Sequence, residues 1–282
     1  MSTGPGTRTG TSTGTGTGTG GTRGGWELPV GEDGLGRLTR EMTEAHRETL
    51  PLMRARAAAL AARLGAGRTG REGPVDPGRR RFLRGAGGAG AAFALAACSG
   101  GSSDGPANPV AETVTYTGDL RYVALAVALE NQAVDAYRAT LAAAKAGRLG
   151  TVPPAVSSFV TTAKAQHTDH AKVWNSVLTG AGTPAITGVP LTDREEVTTA
   201  LGKARNAGDV AALALRLEDQ AAQTYLLSTY SVKSASGIET AATIAPVEAM
   251  HAAILRFVLG EYPVPDAFLP VDKAAKPSLL TV

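Results

Sequence analysis

Six glutamate and histidine side chains between residues 130 and 251 have the types and spacing of a metal site. His167 and His170 are three residues apart, and so are Glu248 and His251. On an α-helix this spacing directs two side chains to the same face, so that each pair can bind one centre. Carboxylate oxygens and imidazole nitrogens are ligands that suit iron or manganese. The candidate metal ligands are Glu130, His167, His170, Glu218, Glu248 and His251.

Long helices must position these residues. Apolar residues recur at helical spacing, and glycine and proline mark the ends, which predicts four helices and no convincing strand. The predicted helices cover residues 119–147, 153–180, 209–233 and 237–260. Short links join the first helix to the second and the third to the fourth, whereas a long connection with one short helix joins the middle pair. This layout predicts an all-α fold, a four-helix bundle with one long crossover between helices 2 and 3.

Each candidate ligand falls in the apolar stripe of its helix. In the second helix the stripe reads Val160, Ala163, His167, His170, Trp174 and Val177. Burying an unpaired carboxylate costs several kcal/mol, so the three core glutamates need positive partners. Two hypotheses follow: bound metal ions, or a metal-free core in which glutamates and histidines pair with one another. Three of the chain's four histidines lie on these stripes, which favours metal.

Two tyrosines stand one heptad beyond two of the glutamates. Tyr137 follows Glu130 by seven residues, and Tyr225 follows Glu218 by seven. Three interpretations remain open: hydrogen-bond donors to the ligands, redox-active tyrosines, or ordinary core aromatics.

Composition divides the chain at its single cysteine. Residues 1–98 carry a net charge of +6 and no lysine, whereas residues 99–282 carry −3. The basic pI near 9.1 therefore belongs to the first part and does not indicate nucleic-acid binding. One cysteine excludes an intramolecular disulfide. The chain contains no run of about 20 apolar residues, so the sequence does not predict a membrane-spanning helix.

Residues 79–98 resemble a twin-arginine lipoprotein leader. Arg79 and Arg80 are followed by Phe82 and Leu83, then by a stretch of small apolar residues that ends at Cys98. The end of this stretch resembles a lipobox, in which the chain is cut before the cysteine and the thiol is acylated. The leader predicts an exported protein held by lipid on the outer face of the cell membrane. Its expected partners are the twin-arginine translocase, the lipoprotein-processing machinery and the membrane.

Five segments follow from these patterns. Residues 1–78 are expected to be a low-complexity, disordered extension, because a Thr-Gly repeat cannot build a core. Residues 33–64 could form an amphipathic helix, but nothing there suggests chemistry. Either translation begins later, at Met53 or Val75, or the extension is real and is lost at cleavage. The remaining segments are the leader 79–98, a tether 99–117, the bundle 118–262 and an extended Pro-rich tail 263–282.

The chain resembles the ferritin-like superfamily, especially its exported group that includes desiccation-related proteins. The resemblance covers about residues 112–270. It is carried by Glu130 with Tyr137, His167-Thr168-Asp169-His170, Leu217-Glu218-Asp219-Gln220 with Tyr225, Glu248-Ala249-Met250-His251, and the ending Leu259-Gly260-Glu261-Tyr262-Pro263-Val264-Pro265-Asp266-Ala267-Phe268.

The family pattern is Glu, Glu-x-x-His, Glu, Glu-x-x-His across four helices. It implies a centre of two iron or manganese ions that reacts with oxygen or peroxide, with Glu130, His170, Glu218, Glu248 and His251 as ligands. His167 departs from the pattern, because it stands where the family has a glutamate. That change leaves Glu248 as the bridging carboxylate, allows His167 to ligate, and leaves a single ion or another metal open. A homodimer is also consistent with the resemblance.

A metal-free role remains the alternative that this resemblance suggests, namely a structural or stress-protection protein of the cell envelope. A hydrolase is disfavoured, because the chain contains no Gly-x-Ser-x-Gly elbow and its cysteine is assigned to lipid. No residue is assigned a catalytic role.

Overall fold

The computed structural model describes residues 26–69 and 116–282, and in that part of the chain the regular elements are helices. Residues Arg79, Arg80, Phe82, Leu83 and Cys98, on which the export and lipid predictions depend, lie outside the described residues. The elements are α1 (Glu32–Thr69), α2 (Asp119–Lys145), α3 (Pro154–Gly180), α4 (Arg194–Lys203), α5 (Ala207–Ser231), α6 (Ala235–Val258) and a 3-10 helix (Pro277–Leu279). The prediction of an all-α fold is confirmed.

Four of these helices form the predicted bundle. Helices α2 and α3 pack together as one pair, and α5 and α6 as another. The connection from α3 to α5 is the long crossover, and it contains the short helix α4. The link between α2 and α3 turns at Gly147 and Gly150, whose positive φ angles of 69° and 70° favour glycine.

Apolar side chains on the inner face hold each helix in place. They form one cluster that includes Val127, Trp174, Val177 and Ile244, and a second that includes Phe159, Val160 and Leu255. Each fully buried side chain of this size contributes roughly 1.5–3 kcal/mol relative to an exposed one. The two clusters flank the polar residues of the core.

A fifth long helix corrects the expectation that residues 1–78 are disordered. Helix α1 packs against α3 and α6 along its length. Leu35 and Met42 join the second apolar cluster, whereas Met53 and Leu60 join the first. These residues recur at steps of seven and eleven around one face, so an amphipathic helix buries them although the neighbouring sequence is of low complexity. An origin of translation at Met53 would remove half of this packed face.

The approach of α1 to α3 is close at one end. A Cβ atom on Gly180 would lie 2.7 Å from the Cβ atom of Ala61, so the small side chains are required for this contact. The backbones of the two helices therefore approach closely at this point, which larger side chains would prevent.

The C-terminal tail ends in a segment that is docked on the crossover. Thr192 N–H donates to the carbonyl of Leu279, and Thr281 N–H donates to that of Pro190. These bonds tie the end of the 3-10 helix and the residues after it to the crossover.

Among the described residues, helix α6 is long and apolar enough to span a membrane by length and composition alone. A core helix of a bundle meets the same criterion. In this structure α6 packs against α5 and α1 and directs Glu248 and His251 into the core.

Candidate metal centre

The structure brings all of the predicted glutamate and histidine ligands together in the middle of the bundle. None of their side chains is more than 2% exposed. Each of the four bundle helices supplies at least one of them, because the apolar stripes meet at the same depth. Two groups can each hold a metal ion, with ligand atoms within 4.8 Å of one another: Glu130, His167, His170 and Glu248 in the first; His167, Glu218, Glu248 and His251 in the second.

Glu248 lies between the two groups, as expected for a bridging carboxylate. Its Oε1 atom is 2.8 Å from His170 Nδ1, and its Oε2 atom is 3.2 Å from His251 Nδ1. One carboxylate thus faces a histidine of each group.

His167 is the second residue shared by both groups. Its Nδ1 atom is 2.7 Å from Glu130 Oε2, and its Nε2 atom is 3.0 Å from Glu218 Oε1. The ring therefore connects the two groups, at the position where the family that the chain resembles has a glutamate.

Several buried polar atoms of the first group have no hydrogen-bond partner. They are both ring nitrogens of His170 and Oε1 of Glu248. His170 Nδ1 and Glu248 Oε1 approach each other without hydrogen-bond geometry, although nearly all buried polar groups in proteins are bonded. Converging donor atoms of this kind fit a cation, and the set of carboxylates and imidazoles suits iron or manganese.

Two tyrosines hold the outer carboxylates. Tyr137 donates a hydrogen bond to Glu218 Oε1, and Tyr225 donates one to Glu130 Oε1. Trp174 Nε1–H donates to the Tyr225 oxygen at 2.9 Å. Both tyrosines are therefore hydrogen-bond donors to the cluster and not only core aromatics. Burial and the adjoining carboxylate raise the pKa of each phenol well above its ordinary value, so both remain protonated.

When no cation is bound, the histidines of the cluster stabilise the ionised forms of the glutamates. Burial opposes ionisation of Glu130, but the nearby His170 and His167 lower its pKa to about 2. The pKa of Glu218 is likewise held well below its ordinary value by His167 and His251, against the effect of burial.

The pKa values of the histidines shift in the opposite direction, upwards. Burial disfavours the charged ring of His170, yet Glu130 and Glu248 raise its pKa to about 9. The pKa of His167 is raised well above its ordinary value by Glu248 and Glu218, and that of His251 is raised chiefly by Glu218, in both cases against burial. Imidazolium–carboxylate pairs therefore balance the charge of the core at neutral pH in the absence of metal, although both ring nitrogens of His170 and Oε1 of Glu248 are left without a hydrogen bond.

Sequence reasoning missed two residues that surround the centre. His46 of α1 is buried beside His170, with the ring centroids 5.1 Å apart. Gln166 Oε1 is 2.8 Å from His251 Nε2. His46 follows Met42 by four residues and precedes Met53 by seven, so its place on the apolar face of α1 was the available signal. Gln166 lies one position before His167, outside the set of positions that form the predicted stripe, and carried no such signal.

Asp169, two residues after His167, stays out of the cluster. Its carboxylate faces α1, with Oδ2 3.7 Å from His46 Nε2 and Oδ1 3.8 Å from Arg54. Burial and the neighbouring His170 lower the pKa of His46 to about 4, so this ring is neutral at pH 7.

Comparison with protein families matches residues 111–261 to a family described as a ferritin-like domain. The match covers more than half of the chain and includes every candidate ligand. It does not include α1. Comparisons with curated proteins and with solved structures give no match.

Proposed function

The chain belongs to the ferritin-like domain family, and from this premise we propose that its bundle core holds a centre of two iron or manganese ions. The observation that carries the proposal is the pair of buried donor groups that share Glu248 and His167. The chemistry of these donors supports a metal-binding function. The number and identity of the ions, and any reaction with oxygen or peroxide, belong to the proposal.

The unpartnered atoms of the first group support the proposal. His170 Nδ1 and Glu248 Oε1 are buried, close together and not hydrogen-bonded, which is the arrangement of atoms that share a cation. Glu130 adds a carboxylate to the first group, and Glu218 adds one to the second. The ligand set of three carboxylates and three imidazoles is hard enough for iron or manganese.

When bound, iron or manganese would supply redox chemistry with oxygen or peroxide. The chain's own residues orient the ligands and exclude bulk water. Tyr137 and Tyr225 fix two carboxylates through their hydroxyl groups. A cavity of about 30 Å³ adjoins Tyr137 and Phe159 and is lined almost entirely by apolar side chains. It has room for a small neutral reactant rather than a charged organic substrate.

An anaerobic titration tests this function. Ferrous or manganous ions are added to the full chain, binding is followed by calorimetry, and oxygen or peroxide consumption is then measured. We expect saturation near two ions per chain and consumption of the oxidant that depends on bound metal. Glu195→Gln is the matched control, because Glu195 is exposed on α4. Loss of binding in Glu248→Gln but not in Glu195→Gln is the expected result, and equal binding in both would refute the assignment.

A metal-free structural protein is the second candidate, and the position of His167 favours it. A protonated His167 ring bonds Glu130 and Glu218 at the same time and so takes the place of a cation. In that case the chain binds no ferrous or manganous ion, and Glu218→Ala destabilises it by leaving an imidazolium without its partner. Calorimetric titration and urea unfolding of the same variant separate the two candidates.

Export and lipid anchoring are proposals that rest on the leader motif and Cys98. We expect the protein in the membrane fraction of a bacterial host, with an acylated N-terminal cysteine detected by mass spectrometry. Cys98→Ser should leave the chain unacylated, and Arg80→Lys with Arg79→Lys should keep it inside the cell. An unmodified, uncut chain in the cytoplasm would refute this proposal.

A further inference from the structure

The chain's fourth histidine lies against the centre from outside the four-helix bundle. The ring of His46 is buried, and it is tilted by 59° to the ring of His170. Neither of its ring nitrogens has a hydrogen-bond partner, and neither does His170 Nε2. Its approach to Asp169, at 3.7 Å, is longer than a hydrogen bond. Two imidazoles with unpartnered nitrogens are thus packed together in the interior, where such groups are costly unless they have a role.

Helix α1 also supports a second histidine of the centre. Gln166 lies between α1 and this histidine, His251. Its Oε1 atom is 2.8 Å from His251 Nε2, and its Nε2–H donates to the carbonyl of Met42 on α1 at 3.5 Å. A metal-binding histidine usually donates its other ring N–H to an outer acceptor, which fixes the ring orientation. For His251 this acceptor is Gln166, and the amide of Gln166 is in turn bonded to α1.

The outer contacts of the centre are divided between two parts of the chain. Tyr137 and Tyr225, within the four-helix bundle, hold the carboxylates of α5 and α2. The histidines lie on α3 and α6, which are the two helices that α1 covers. Along α1, His46 stands between the residues that enter one apolar cluster and those that enter the other. Its position matches the depth of the centre.

We propose that α1 is the outer wall of the metal centre and that His46 is a positioning residue for His170. The inference rests on the proposed function, because it assigns α1 to the same site. It extends that site beyond the residues 111–261 of the family match. The inference concerns the uncut chain, because the cut before Cys98 that the export proposal includes would separate α1 from the bundle, and it predicts that this cut weakens metal retention.

Cobalt(II) bound to the full chain tests the inference. His46→Phe keeps a ring of similar size but removes its nitrogens, His46→Gln restores a polar group, and Arg47→Ala changes an exposed neighbour on the same helix. Release of cobalt to a chelator and the visible cobalt spectrum are measured for each variant. We expect release from His46→Phe to be about 10–100 times faster, with a changed spectrum, as for other losses of outer support. Arg47→Ala should match the parent chain, and His46→Gln should lie between.

The outcomes separate this inference from the proposed function. If the parent chain binds cobalt and His46→Phe releases it at the parent rate with the same spectrum, His46 only fills space and the inference is overturned. If the parent chain binds no metal, the proposed function fails. In that event the exchange of the His170 ring C–H hydrogen in heavy water, read by mass spectrometry, still tests the wall. Faster exchange in His46→Ala than in the parent supports it, and equal exchange overturns it.

Discussion

Metal-free protein should lose stability as the pH rises above neutrality. His170 carries the clearest effect, because its pKa is about 9 in the folded chain against an ordinary value of 6.5. The folded state therefore favours the protonated ring. This stabilisation is complete below pH 6.5 and is lost as the pH rises towards 9. A shift of this size corresponds to about 3 kcal/mol. His167 and His251 are shifted in the same direction and add to the loss.

The stability should also fall on the acid side. The stabilisation from Glu130, whose pKa is lowered from 4.5 to about 2, is present above pH 4.5 and lost as the pH falls through 2. The pKa of His46 is lowered from 6.5 to about 4, so its contribution is lost as the pH falls between these values. The maximum stability of the metal-free chain is therefore expected near pH 6.5.

Urea unfolding of chelator-treated full chain, from pH 4 to pH 9.5, measures this profile. His170→Asn should remove about 3 kcal/mol of the decline on the alkaline side. Metal-loaded protein should behave in the opposite way, because binding requires unprotonated histidines and strengthens as the pH rises. A metal-free chain whose stability is constant or increases between pH 6.5 and 9 would refute the proposed pairing of imidazolium with carboxylate.

Three further outcomes are expected. Tyr225→Phe should lower the free energy of unfolding by about 1.5–3 kcal/mol, because Glu130 loses a charge-assisted hydrogen bond. Tyr230→Phe, at an exposed position, should change this free energy little. Equal effects of the two substitutions on chemical denaturation would contradict the prediction. Gln166→Leu should weaken metal binding about 10–100-fold in chelator competition, because His251 loses its outer acceptor; unchanged affinity would contradict it. Removing metal should lower the free energy of unfolding by about 2.7 kcal/mol relative to protein in metal at 100 times its dissociation constant, and a chelator without effect on thermal unfolding would contradict this.

The fold and the cluster could be predicted because both follow from helical periodicity. Glu130, His170 and Glu248 recur in step with the apolar residues that bury their helices. A residue in the stripe must face the bundle interior, and stripes of similar length bring their midpoints together. The pairs at three-residue spacing then fix which side chains share a helix face.

Helix α1 could not be predicted in the same way. Its sequence adjoins a Thr-Gly repeat on one side and a leader motif on the other, and both favoured a segment without a fold. The apolar spacing of Leu35, Met42 and Met53 indicates an amphipathic helix, but spacing alone does not say which surface the helix covers. That depends on the groove between α3 and α6, which is a property of the folded bundle.

Gln166 illustrates the same limit at a single residue. A glutamine beside an apolar stripe is ordinary at a helix boundary. Its role arises from two contacts across helices, to His251 and to the backbone of Met42, that no sequence spacing encodes. The shared position of His167 between both donor groups likewise required the packed structure.

The decisive measurement is the metal content of the full chain after anaerobic loading and exhaustive dialysis, determined by elemental analysis beside Glu248→Gln and Glu195→Gln. Glu248 belongs to both donor groups, whereas Glu195 is exposed. We predict about two iron or manganese ions per chain in the parent and in Glu195→Gln, and a large loss in Glu248→Gln. A parent chain that retains no metal, or a Glu248→Gln chain that retains as much as the parent, would contradict a metal centre built on these residues.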